Sequence, residues 1–194
     1  MKTLAWLSLH LIHGLILTLP TMVLAPSSAI DWRYIWFMIG VLIAAILESS
    51  SQHIQFDLLE VKIHDPLAMR VASFVGLLLL LGFWAAQIER LFGDSPDFWM
   101  SLLGAAGLAI GIALRIVAIR TLGKSFVSDI QAYNTVVRTG IYKWFRHPSE
   151  IGLLLISIGA ALLLGSPHTA ILGALLLTPI SLWRMRREDL TLAS

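Results

Sequence analysis

The chain has 194 residues, 57% of them apolar and only 13% charged, with a formal net charge of +2 and no cysteine. Soluble domains carry about 25% charged residues, and a globule of this length cannot hide so much apolar surface in one core, so a soluble enzyme and a disordered chain are both excluded. The lack of a thiol excludes a disulfide scaffold, a zinc–thiolate site, an iron–sulfur cluster and a cysteine nucleophile. A mean hydropathy of +0.81 leaves a small polytopic membrane protein.

Stretches free of Asp, Glu, Lys and Arg locate the spans in chain order: Thr3–Ile30, Tyr34–Leu47, Val71–Ile88, Phe98–Leu114 and Ile151–Trp183. A helix needs roughly 20 residues to cross about 30 Å of hydrocarbon. The first, third and fourth stretches fit one helix each. The first begins like a secretory signal, but its apolar run outlasts a signal core, so it is read as a retained span. The second fits once Trp32, Tyr34 and Trp36 sit in the interface. The last is too long for one ordinary helix and contains Gly165-Ser166-Pro167, a cluster that breaks helices. The expectation is an all-α integral membrane protein with about six transmembrane helices, the last two forming a tight hairpin. Five spans with a partly re-entrant hairpin is the alternative.

Loop charges orient the chain. With the N-terminus in the cytoplasm, twelve Lys and Arg residues fall on the cytoplasmic side, and only Arg33 and Arg90 fall on the other. That asymmetry follows the positive-inside rule and puts both termini in the cytoplasm. In the fourth span Gly104, Gly107 and Gly111 read as a close-packing face.

Polar chemistry concentrates late in the chain. Arg120–Ser149 is too polar to span, and Asp129 is its only carboxylate against Arg120, Lys124, Arg138, Lys143 and Arg146. On charge alone it is a basic loop resting on anionic headgroups. The run Arg146-His147-Pro148-Ser149-Glu150 adds more. His147 precedes proline and is biased to extended backbone, while Pro148 suits the first position of a helix. A cation and an imidazole are thus fixed at a rigid kink beside the membrane. The last helix closes on Arg184-Met185-Arg186-Arg187-Glu188-Asp189. Snorkelling explains the arginines, but an acid at a helix C-terminus opposes the dipole. The hairpin returns this end to the side it left, so Glu188 can approach His147.

Other polar residues read as structural. His10 and His13 share a face of the first helix, where packing outweighs a proton or metal role. His53, His64, Asp57, Glu60 and Asp65 read as the solvated face of an interfacial helix. Asp94 and Asp97 are outer-loop turn acids, and His168 is an exposed turn residue. No metal site is expected. Nucleic-acid binding has no support, because the basic pI arises from topology-setting arginines.

The ordered set Leu122-Gly123-Lys124-Ser125-Phe126, Thr139-Gly140-Ile141-Tyr142, Arg146-His147-Pro148-Ser149 and Arg187-Glu188-Asp189, with a long apolar hairpin before the last, resembles the isoprenylcysteine carboxyl methyltransferase family. The likeness covers about Arg115–Leu190. Three features depart from the family pattern. Ile141 stands where proline is usual, and Glu150 where an aromatic residue is usual. The sequence runs to Ser194 without a further Gly and Tyr beyond the acid pair, which bears on the acceptor side and the cofactor lid.

The resemblance implies a multi-pass membrane methyltransferase using S-adenosylmethionine, with residues 1–114 as scaffold helices and 115–194 as the cofactor-binding and catalytic region of one integrated domain. It implies Gly140, Tyr142, His147, Pro148, Arg187 and Glu188 as cofactor-pocket residues. Arg146, His147 and Glu150 stand as catalytic candidates: Arg146 could hold a carboxylate, and His147 or Glu150 could take a proton from a protic acceptor. The acceptor would be lipophilic or lipidated, entering from the membrane lipids, with the active site facing the cytoplasm. The short chain points to a bacterial cytoplasmic membrane, or the endoplasmic reticulum in a eukaryote. Two other readings stand beside it. Membrane sterol-type reductases using NADPH carry similar Arg-His-Pro triplets, and a non-enzymatic membrane subunit or transporter would share the hydropathy.

Overall fold

The structure is a computed structural model that describes residues 2–27, 31–56, 65–93, 97–123 and 138–193, with the side chains of 2–11, 13, 48–56, 192 and 193 outside the description. Among these residues there are six α-helices and no strand: α1 Lys2–Leu24, α2 Trp32–Phe56, α3 Pro66–Phe92, α4 Phe98–Leu122, α5 Pro148–Leu163 and α6 Pro167–Ala193. A 3-10 turn, Gly140–Lys143, precedes α5. α3 and α4 are by length and composition able to cross a membrane. Large apolar side chains face outward along several helices, among them Leu15, Val23, Trp36, Phe74, Leu103, Ile110 and Leu175. An outer surface of that kind suits a hydrocarbon surround. The expected break is present: α5 ends at Leu163, Gly165 takes φ 78° and Pro167 opens α6.

α4 and α5 pack backbone against backbone. A Cβ at Gly104 would lie 2.1 Å from the Leu163 amide nitrogen, and one at Gly159 would lie 2.4 Å from that of Leu108. Gly111 and Gly152 face each other's carbonyl oxygens in the same way. The small-residue stripe read from the fourth helix is therefore a seam against α5, the contact mode that lets membrane helices approach closely. Phe37, Ile156, Leu163 and Leu164 fill the core beside it.

α3 is tied to its neighbours by polar contacts. Pro20 in α1 cannot donate to the carbonyl four residues back, that of Ile16. The indole Nε1 of Trp84 in α3 supplies that hydrogen bond at 2.9 Å. Beside it, buried Gln87 donates to the Leu17 carbonyl at 2.7 Å and accepts from Thr21 Oγ1 at 2.8 Å.

α3 also runs antiparallel to α6 and is tied to it at both ends. At one end Glu89 accepts from the backbone amides of His168 and Thr169 at 3.0 and 2.8 Å and from Thr169 Oγ1 at 2.6 Å. It thereby satisfies the orphan amides that open α6. At the other end Asp65 caps α3, accepting from Leu67 and Ala68, and pairs with Arg187 of α6.

Candidate functional site

The site forms where the start of α5 meets the end of α6. Gly140 opens the 3-10 turn at φ 56°, a backbone open to glycine and costly for other residues. A Cβ there would lie 3.2 Å from the Thr121 side chain, so the turn lies against the last turn of α4. Tyr142 follows, half-buried. Burial and the nearby Glu188 carboxylate push its phenol well above the ordinary range, so it stays protonated.

His147 precedes α5 with φ −128° and ψ 59°, non-helical as a residue before proline should be. Pro148 is the buried first residue of the helix. Arg115, buried in α4, donates one guanidinium nitrogen to the Ser149 carbonyl at 3.2 Å and to its hydroxyl at 3.0 Å. That contact carries a cation into the α4–α5 seam and holds the first turn of α5.

α6 continues unbroken past Asp189, so its acids face back toward α5. His147 Nδ1 lies 3.2 Å from Glu188 Oε2, and Nε2 lies 3.1 Å from Asp189 Oδ1. Both ring nitrogens meet carboxylates, an arrangement that favours the doubly protonated imidazolium. Burial alone would lower the His147 pKa, but the hydrogen bond and charge of Glu188, joined by Asp189, outweigh it and hold it above its ordinary value. Arg146 reaches the same Asp189 oxygen at 3.0 Å while its guanidinium stays 77% exposed.

Glu150 pairs with Arg184 at 3.4 Å, both side chains largely buried. Its second oxygen is buried without a hydrogen-bond partner. Arg187 points to Asp65, with its guanidinium 5.4 Å from the Trp183 ring centroid.

Of the residues singled out from sequence, His147 and Glu188 meet directly, and Arg146 joins them through Asp189, whose Oδ1 it shares with His147. Glu150 pairs with Arg184 of α6, Tyr142 lies within the field of Glu188, and Gly140 and Pro148 shape the turn and the helix start. Arg187 instead leads to α3.

Sequence reasoning passed over Arg115, Ser149, Arg184 and Asp65 as site neighbours. Asp189 was visible only as half of an acid pair. Asp65, read as a solvated loop acid, is a helix cap and an ion-pair partner. His168 is exposed as expected, and its Nδ1 lies 2.9 Å from Glu89. Asp97, read as a turn acid, caps α4 through the Met100 amide. Lys124, Asp129, Asp57, Glu60, His64 and Asp94 lie outside the described residues, as do the side chains of His10, His13 and His53. Among the described residues no group of three or more His, Cys, Asp or Glu could hold a metal ion.

Residues 102–194 match the model of the isoprenylcysteine carboxyl methyltransferase (ICMT) family. Protein-S-isoprenylcysteine O-methyltransferase B of Arabidopsis thaliana is 28% identical over 158 residues, 79% of this chain and 74% of that protein. The Homo sapiens protein-S-isoprenylcysteine O-methyltransferase is 34% identical over 94 residues, 46% of this chain and 31% of that protein. The Saccharomyces cerevisiae enzyme of the same name is 32% identical over 110 residues, 51% of this chain and 46% of that protein. No solved structure gives a significant match. The reductase and transport readings gain no support from these relatives. The α4–α6 region that carries the histidine–carboxylate cluster is the region that matches the isoprenylcysteine carboxyl methyltransferase family.

Proposed function

We propose that this chain is an integral-membrane methyltransferase that moves a methyl group from S-adenosylmethionine to the carboxylate of an isoprenylcysteine-like acceptor. The observation that carries the reading is the joining of Arg146, His147, Glu188 and Asp189 at one end of the bundle, inside the region matched to the family.

The residues fit the methyl donor chemically. Its amino-acid end is a zwitterion and its ribose carries two hydroxyls. The exposed Arg146 guanidinium suits a carboxylate. Glu188 and Asp189 suit an ammonium or a hydroxyl pair. The unpartnered buried oxygen of Glu150, in the first turn of the helix that His147 precedes, is a further acceptor. When bound, S-adenosylmethionine supplies an electrophilic methyl on a sulfonium.

The chain's own residues bind, orient and exclude water. A carboxylate acceptor carries its own negative charge and needs no proton removed, so Arg146 acts by orienting and His147 acts as the hydrogen-bonding partner of its two acids rather than as a base. Fixing the reactants in line contributes up to ~7–11 kcal/mol in favourable cases. His147 and Glu188 hold the donor side, with Gly140, Tyr142, Pro148 and Arg187 shaping it.

Six spans with both termini cytoplasmic complete the reading. Asp65, Arg115, Arg146 and Arg187 then share the cytoplasmic end with the site, and Arg33, Glu89, Arg90 and His168 share the far end. A lipophilic acceptor enters sideways between helices, and the polar donor arrives from the cytosol. The test is methyl transfer by the full chain in lipid nanodiscs, from labelled S-adenosylmethionine to an S-farnesylcysteine derivative with a free carboxylate. Label in a base-labile ester supports the reading. No transfer to that acceptor, with donor bound, moves the acceptor class elsewhere.

A further inference from the structure

Asp65 ends the segment before α3, and both of its carboxylate oxygens are in use. Oδ1 accepts from the amides of Leu67 and Ala68 at 3.1 and 3.0 Å, capping α3. Oδ2 accepts from Arg187 Nε. The Arg187 guanidinium also lies against the Trp183 ring, one turn earlier in α6. Arg187 is therefore held on two sides, by a helix cap and by an aromatic face.

The next two residues are Glu188 and Asp189, which take the two ring nitrogens of His147. Neighbouring residues of an α-helix are turned by about 100° from each other. Any rotation of the last turns of α6 thus moves Arg187, Glu188 and Asp189 together. The start of α6 is already fixed to α3 by Glu89. At its far end α6 is tied to α3 by the contact of Arg187 with Asp65. Asp65 lies outside the stretch matched to the family.

We propose that Asp65 is a positioning residue for the site: through Arg187 it sets the rotation of the end of α6 and so places Glu188 and Asp189 on His147. The effect on donor binding rests on the reading of that cluster as the donor pocket; the geometric link does not. The charged groups around His147 are Glu188 and Asp189 from α6 and Arg146 beside it in the chain, with Tyr142 of the 3-10 turn near Glu188.

The experiment follows the His147 imidazole by carbon-13 NMR in the full chain in detergent micelles, its signal assigned by loss in His147→Gln. Two variants break the clamp from opposite sides. Asp65→Asn keeps a capping side chain and removes the negative charge. Arg187→Gln removes the positive one.

The clamp requires the His147 midpoint to fall in both variants, by about half a pH unit or more, as its carboxylate partners loosen. Charge acting through space alone would lower it in Asp65→Asn and raise it in Arg187→Gln. Opposite signs, or no change in either, overturn the proposal. If Asp65→Asn fails to fold, Arg187→Gln decides, and a rise or no change overturns the proposal. If Arg187→Gln fails to fold, Arg187→Lys, which keeps the charge and loses the Nε contact, takes its place, and the absence of a fall overturns the proposal. S-adenosylhomocysteine binding, measured alongside, should weaken by about three- to tenfold in both variants. If the parent chain binds no S-adenosylhomocysteine while both midpoints fall, the clamp stands and the donor-pocket reading fails.

Discussion

His147 and Glu188 are 41 positions apart in sequence and 3.2 Å apart in space. The proline after the histidine and the unbroken last turns of α6 together bring that about. The histidine cannot join the helix it introduces, and the glutamate lies within a helix that runs on to Ala193. Asp189 takes the other ring nitrogen at 3.1 Å, so the pair closes the hairpin at its polar end.

That closure should depend on pH in one direction. The folded His147 pKa lies above its ordinary value of 6.5. The stabilisation is then fully present below that value and is lost as pH rises through the raised folded pKa. Thermal unfolding scans from mildly acid to mildly alkaline pH should show stability falling on the alkaline side. In His147→Gln that fall should flatten. A loss of stability toward acid within the same window, restored by His147→Gln, would mean that the imidazole is held neutral.

The α4–α5 seam should not tolerate a methyl group. Gly104→Ala places a Cβ against the Leu163 backbone, where no side chain can move aside. Overpacking of this kind costs about 1–3 kcal/mol or more. Gly76 in α3 has nothing within 4 Å of its would-be Cβ, so Gly76→Ala should be neutral or mildly stabilising. Unfolding temperatures of the two variants measured side by side decide this. Equal values would mean that the two helices do not touch at Gly104.

Glu89 should matter for stability and not for donor binding. It satisfies the amides of His168 and Thr169 from a different helix. Glu89→Ala leaves those donors without their partner and should cost about 2 kcal/mol, and Glu89→Gln roughly half of that. Ligand affinity per folded molecule should stay at the parent value, because Glu89 sits at the opposite end of the bundle from His147. A parallel loss of affinity would show that α6 transmits strain along its length.

Sequence reading served best where the signal is local. Gly165-Ser166-Pro167 breaks the long apolar run because its residues cannot continue a helix, and the hairpin turns there. The glycines of the fourth helix announced a close contact, though not that α5 makes it. The meeting of His147 with Glu188 followed from a topological argument, that a hairpin returns to the side it left.

Contacts between distant helices were not legible. Arg115 read as one of many topology-setting cations, and its hold on Ser149 depends on how closely α4 approaches α5. Asp65 read as solvated because nothing near it in sequence asks for an acid beyond the helix it caps. Its second partner comes from the far end of the chain. Glu150 was singled out as a departure from the family pattern, but its partner, Arg184, was not. Such pairings depend on helix rotation, which hydropathy and spacing leave open.

The most direct measurement is a calorimetric titration of the detergent-purified full chain with S-adenosylhomocysteine, repeated with NADPH, on the parent protein and on His147→Ala. Saturable binding of S-adenosylhomocysteine, absent in the folded variant, and no heat with NADPH is the expected result. Binding of NADPH in its place, or of neither ligand by folded protein, would contradict the methyltransferase reading.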